Sequence, residues 1–298
     1  KKFTIGTRLE LYKNPIPGVS NYEGYGIANK FIQFKNNIID VTAGNFYDEF
    51  GNGLIFRTYF NPNLGVDNSV NGLRIKLVPI EGVYITGLIG KQRSYWEYGD
   101  GLVRALNTDI SLNSIFFKDW KSYINVGISF VTKKETDDNP LYILPENVGA
   151  FNGRINITKG NTSINLDYAY KINDPSADNN YIYKNSTGLI LTANYSKKGV
   201  GVSFGAKRIE NMSFRSERNA MLQDLNINYI IPFTKQQAYS LATIYPYSSQ
   251  PNGEMGTQID IYYTIPKKTK VGGKYGTQIT LNFSNVFNID KTLSDDSE

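Results

Sequence analysis

The chain of 298 residues contains no cysteine and no histidine, and only two tryptophans and three methionines. Without cysteine there is no disulfide frame, thiol nucleophile, iron–sulfur cluster or Cys-ligated zinc. Without histidine, Ser-His-Asp and Cys-His catalysis, His-ligated metals and the usual near-neutral proton shuttle fall away. Carboxylate, lysine, tyrosine or Ser/Lys chemistry and oxygen-ligand metal sites survive, as does no chemistry at all. Hydrolases embedded in outer membranes typically lean on a histidine, so no enzyme is expected. No stretch approaches about 18 apolar residues, which excludes a transmembrane helix. The 32 basic and 27 acidic residues give a net charge of +5, spread without long like-charge runs. With no RNP, zinc-finger or helix-turn-helix pattern, no nucleic-acid partner is expected. No signal peptide precedes Phe3, so a mature or trimmed product, or a cytoplasmic protein, is expected.

What is present is period-two alternation, repeated many times. In residues 162–170, Thr162, Ile164, Leu166, Tyr168 and Tyr170 share one face, and Ser163, Asn165, Asp167 and Ala169 the other. The same pattern recurs over 73–77, 123–132, 187–196, 200–208, 257–264 and 277–284. Further strand candidates are 3–12, 27–35, 38–46, 83–91, 102–112, 149–158, 220–230 and, weakly, 238–244. That makes roughly 14 or 15 strands, most about 8–11 residues long, the length that crosses a bilayer. Short turns at 36–37, 81–82, 118–121, 159–161, 197–199 and 234–237 alternate with long polar loops at 13–25, 47–70, 93–101, 133–147, 172–186, 210–219 and 244–255. Strands running up and down would gather the short turns at one end and the long loops at the other, as in an outer-membrane barrel.

A soluble β-sandwich also alternates. Against it stand the strand lengths, their number, and a polar face built from small and amide residues. Only 20% of residues are charged, while 33 are asparagine. Aromatics near strand ends, such as Tyr84, Tyr123, Phe151, Tyr168, Tyr195 and Tyr262, fit interfacial girdles, although β-propensity alone also favours them. The expected fold is all-β: an antiparallel up-and-down transmembrane barrel of about 14–16 or more strands. No fixed-length repeat and no linker are visible, so residues 1–298 are expected to form a single domain.

Several longer motifs carry a resemblance. They are Gly44–Arg57 (GNFYDEFGNGLIFR), Leu64–Arg74 (LGVDNSVNGLR), Gly90–Arg93 (GKQR), Arg208–Arg215 (RIENMSFR), Ile244–Tyr247 (IYPY), Gln250–Glu254 (QPNGE) and Gly272–Gly276 (GGKYG). In these the chain resembles a family of outer-membrane β-barrels of unknown function from the Bacteroidota. The resemblance implies location in the bacterial outer membrane and a barrel fold, and no activity. It also implies further strands before Lys1. Together with an ending on Leu293–Glu298 instead of an aromatic-terminated strand, this leads to the expectation of an incomplete barrel or trimmed chain.

The segment 47–70 is the most informative loop. It mixes Asp48, Glu49, Arg57, Asn63, Asp67 and Asn68 with Phe50, Phe56, Tyr59 and Phe60. Such mixed chemistry suits a segment folded into the lumen. Asp48, Glu49, Arg57, Arg74, Lys76, Lys91 and Arg93 are the candidate pore-lining or constriction residues, the cations attracting anions. The other reading is a charge-paired network that props the lumen open or shut. Gly51-Asn52-Gly53 and Gly272-Gly273-Lys274-Tyr275 fail the phosphate-loop spacing. Asp137-Asp138-Asn139 and Asp174 with Asp178 fail the EF-hand offsets, so no metal or cofactor is expected. Carboxylate pairs such as Glu10 with Asp40, or Asp167 with Asp224, share lumen parity, and their separation decides whether glycosidase chemistry is open to them. The expected function is a passive pore or gated channel for small polar or anionic solutes. The alternative is a non-catalytic structural or docking subunit of a larger outer-membrane assembly. The lipid bilayer is the expected partner, with other outer-membrane proteins in the second case.

Overall fold

The structure, a computed structural model, describes residues 1–14, 23–62, 65–235 and 247–289. The strand candidate 238–244, Asn63, the end of the turn 234–237 and residues 290–298 lie outside them. Thirteen strands form one antiparallel sheet in chain order. They are β1 Lys2–Tyr12, β2 Gly24–Lys35, β3 Ile39–Phe46, β6 Val70–Leu77, β7 Val83–Ser94, β8 Glu97–Ser111, β9 Ser122–Lys134, β10 Asn147–Lys159, β11 Thr162–Lys171, β12 Ser186–Lys197, β13 Val200–Glu210, β14 Gly253–Ile265 and β15 Thr277–Asn288. A two-stranded ribbon, β4 Phe60–Asn61 with β5 Val66–Asp67, stands apart between β3 and β6. Among the described residues β1 and β15 do not pair with each other, so the sheet is an open, odd-numbered barrel wall.

Alternation sets the two faces. On β9 to β12 the outward face carries Ile128, Phe130, Phe151, Ile164, Leu166, Tyr168 and Leu189, all exposed to solvent. Register places Phe151 opposite both Phe130 and Tyr170, and the Phe130 and Phe151 rings lie 4.5 Å apart. Ile5, Leu9, Ile32, Leu73, Ile89, Leu106, Leu281 and Phe283 extend the same exposed apolar surface over the other strands. A band of this extent has no place on a water-facing sheet, but it is the lipid face of a barrel. The wall's backbone groups pair between strands, which is what a bilayer demands. The sandwich reading falls, and the chain is a transmembrane β-barrel protein.

Most connections separate by end, the exceptions being residues 266–276 between β14 and β15 among the short turns and 95–96 between β7 and β8 among the long loops. Asn36–Ile38, Gly160–Asn161 and Lys198–Gly199 are tight, and a short helix, α1 Leu112–Ile115, sits in the β8–β9 turn at the same end. The opposite end carries the connections 13–23, 47–69, 135–146, 172–185 and 211–252. Two expectations are corrected here. The loop placed at 93–101 is a two-residue turn, Tyr95–Trp96, between long strands β7 and β8. The strand placed at 220–230 is not part of the sheet, because β13 pairs directly with β14, from Val200 opposite Tyr263 to Glu210 opposite Gly253. Alternation of burial in 220–230 is confined to Leu225–Ile227. Leu225 and Ile227 are buried, but 222–225 form a turn with positive φ at Leu222 and Leu225, and the chain is bridged at Arg215–Asn226 instead of to the wall.

The apolar core lies on the inner face, towards the long-loop end. Val131, Val148, Ala150, Ala169, Ile190 and Ile209 point inward from β9 to β13 and pack against Phe50, Leu54, Ile55, Phe56, Met212, Phe214 and Ile227. The last seven are at most 1% exposed, and each buried side chain of this size contributes about 1.5–3 kcal/mol. Nearer the short turns the inward residues become Asn125, Asn156, Asn165, Thr192, Asn194 and Ser203, none of them buried.

Candidate functional site

Two connections meet on the inner face. Residues 48–58 double back on themselves: Phe50 N–H donates to Phe56 O at 3.0 Å, Thr58 N–H to Asp48 O at 2.9 Å, and Glu49 bridges Arg57. The second connection does the same, Ile227 N–H donating to Phe214 O and Ser216 N–H to Leu225 O. The two are stitched together by Arg57 N–H to Ile227 O at 2.8 Å and Tyr229 N–H to Gly53 O at 2.9 Å. Asn228 adds amide bonds to Leu54 O and Met212 O, and Asn68 donates to Asn226 O. Backbone taken out of water in this way has to find internal partners, and the asparagines supply those that the backbone does not.

The tip of the first connection rests on a polar belt of the wall. Asn52 N–H donates to Asp167 Oδ2 at 3.0 Å. Below it, Arg154 reaches Asp109, Asn107, Ser129 and Asn152. Gly51 makes this approach possible. Its φ is +57°, and a Cβ there would stand 2.8 Å from both Arg154 Cδ and Asp167 Oδ2. Gly51→Val is therefore expected to lift the tip, costing about 1–3 kcal/mol. Urea titration with hydrogen exchange at the Asn52 amide checks this. An unchanged midpoint with full amide protection would contradict it.

The candidate charges divide into groups. Asp48 pairs with Lys76 at 2.8 Å and Arg74 at 3.4 Å, and Arg74 also reaches Asp40 at 3.8 Å. Glu49 lies 3.6 Å from Arg57, whose guanidinium sits 4.1 Å from the Tyr229 ring centre. Burial pushes the Glu49 carboxyl up, aided by Asp48 and opposed by Arg57. Lys35 reaches the same Asp40 at 3.8 Å, so three carboxylates stand against four cations and the network keeps one net positive charge. Arg93 joins a separate, buried group: it bonds Asp67 at 2.5 Å and Glu10 at 3.1 Å, and Arg8 pairs with the same two carboxylates. Lys91 joins neither group. Its alternation partner is the outward face, and it lies 3.6 Å from the exposed Asp100. A register shift between Lys91 and Arg93 turns Gln92 and Arg93 both inward.

The carboxylate pairs considered for glycosidase work are engaged separately. Glu10 is held by Arg8 and Arg93, and Asp40 by Gln33 and Arg74. Asp167 is held by Asn52 and Asn152, and Asp224 by Ser94. Two further arrangements lay beyond sequence reasoning. Lys133 and Lys171, both fully buried, flank Asp174 at 2.8 and 3.3 Å. Burial alone would raise the Asp174 carboxyl, but the two lysines outweigh it and hold it below the usual range. Arg218 ties the 135–146 loop to the second connection through Glu135, Thr136 O and Pro145 O. One sequence signal for the inner contact did exist: alternation lapses into adjacent apolar pairs at Phe130-Val131 and Leu189-Ile190, where the inward member meets the core.

No curated protein matches the chain. Solved structures of similar course include a BenF-like porin from Pseudomonas fluorescens Pf-5, at 10% identity and TM-score 0.41, covering 92% of this chain and 74% of that one. The outer membrane protein OpdK of Pseudomonas aeruginosa is similar at 9% identity and TM-score 0.42, with 96% and 84% covered. OprB of Pseudomonas putida is similar at 11% identity and TM-score 0.47, with 93% and 71% covered. A family of unknown function, DUF6029, matches residues 1–298, and the chain belongs to it.

Proposed function

We propose that the chain is a non-catalytic channel of the bacterial outer membrane, passing small polar or anionic solutes. In this reading residues 1–298 are a single barrel domain from a member of the Bacteroidota, and 47–70 is the inward-folded segment that constricts or gates the lumen. One observation carries it: the wall is apolar outside, while its inner face is amide- and hydroxyl-lined near the short turns and covered by packed chain near the long loops. A hydrated lumen needs the first inner surface, and a gate needs the second. Arg57, Arg74 and Lys76 beside Asp48 and Glu49 are the proposed constriction, with Arg93 bracing it and Lys91 outside it.

Planar-bilayer recording tests this. Stable steps with anion preference are expected, and Arg57→Glu with Arg74→Glu should shift that preference towards cations. Steps of unaltered selectivity would remove these residues from the path. A second reading, a docking subunit, draws support from apolar loop tips: Leu141 is 83% and Ile143 90% exposed. A silent barrel that co-purifies with stoichiometric outer-membrane partners would favour it over the channel.

A further inference from the structure

A cavity of about 760 Å³ opens between the two packed connections and residues 247–251. Its size falls within the range of about 300–1,000 Å³ typical of ligand sites. The wall combines side-chain amides and tyrosines, among them Gln223, Asn226, Tyr59, Tyr229 and Tyr247, with apolar side chains. Several of these are fixed in place. Asn68 accepts from Tyr59 N–H at 2.7 Å and donates to Asn226 O at 2.9 Å. Asn68, which also donates to Arg57 O at 3.4 Å, thus shapes the wall from behind, and Gln223 and Asn226 are the amides on its open side.

The electrostatics narrow the ligand. The lining holds two charged residues, Arg215 and Asp178, and they pair with each other at 3.4 Å. Two further terminal N–H groups of Arg215 donate to Asp224 O and Leu222 O. An anion would find no uncompensated cation here, and a zwitterionic amino acid or peptide no pair of counter-charges. A neutral hydroxyl needs no counter-charge and can both donate and accept. Amides likewise offer both functions, and Tyr rings with Val66, Ile230 and Pro251 offer apolar faces to C–H groups.

We propose that this cavity binds a neutral, hydroxyl-rich solute of oligosaccharide size. The proposal rests on the channel reading for the solute's passage, but not for its binding. The full chain, folded in detergent, should bind maltotriose saturably by calorimetry. Maltobionate, which adds a carboxylate, and triglycine, a zwitterion, should bind at least about tenfold more weakly. Gln223→Trp and Asn226→Leu alter exposed or half-exposed side chains, and each should weaken maltotriose by about tenfold or more with the barrel still folded. No saturable maltotriose binding, tighter binding of either charged probe, or variants that bind like the parent would each overturn the proposal. Binding to a barrel that never conducts would leave this site standing and refute the channel. Conductance without binding would do the reverse.

Discussion

Asp174→Asn is expected to destabilise the folded barrel by about 3–5 kcal/mol, because it takes from two buried ammonium groups the carboxylate they share and leaves Lys133 only the more distant Glu135. Lys133 and Lys171 are fully buried, and Asp174 is the carboxylate that both reach. The Lys171 ammonium has one further source of support, the Phe214 ring 5.6 Å away, worth about 0.5–2 kcal/mol and too little to replace a carboxylate. Adding Lys171→Met to Asp174→Asn removes one of the orphaned charges, so the double variant should recover part of the loss. Urea midpoints in lipid vesicles measure both. A single variant as stable as the parent would show that the lysines find partners elsewhere.

The same carboxylate has an acid signature. Its pKa in the folded protein is depressed, so the stability it contributes is present above the ordinary aspartate value and is lost only as pH falls through the depressed one. The parent should keep this contribution down to about pH 4 and lose it below. Asp174→Asn should start lower and show no such loss. A parent that weakens between pH 7 and 5 while the variant does not would contradict the direction of the shift.

Much of the wall was legible in the sequence because a barrel strand exposes each face to a different solvent. Runs such as 162–170 and 200–208 alternate without error and pair in the register their faces require. The same logic misplaced 220–230. A turn at 222–225 followed by a short arm, with Leu225 and Ile227 turned into a core and Asn228 turned to backbone partners, shows the same apolar spacing in sequence as a wall strand. Period two reports an extended chain with two different sides; it does not report which chain pairs with it. At the site, the grouping of Asp48, Glu49, Arg57, Arg74 and Lys76 followed from lumen parity and the mixed chemistry of one loop. Lys91 and Arg93 share a parity in sequence, but the register shift between them puts one outside and the other inside, and no local signal marks it. The Lys133–Asp174–Lys171 cluster was invisible because its members come from β9, β11 and the loop after it, and meet only once the sheet has formed.

The packed connections also invite a direct intervention. Glu49 and Arg57 face each other across an antiparallel bridge, where opposed Cα atoms stand about 4.5–5.5 Å apart. Residues 50–56 can therefore be excised and replaced by Asn-Gly, a two-residue turn that joins such a pair. The wall's strand pairing does not involve these residues. Their removal withdraws Phe50, Leu54, Ile55 and Phe56 from the inner face and releases the Asn52–Asp167 contact. The fold should survive at reduced stability, since inward groups such as Val131 and Ile190 would then face water.

Single-channel conductance of the parent and this excision variant, recorded side by side in the same bilayer, bears most directly on whether these residues obstruct a path. The expected result is a several-fold larger and more continuously open conductance in the variant. Equal conductance in two equally folded barrels, or silence in both, would contradict it.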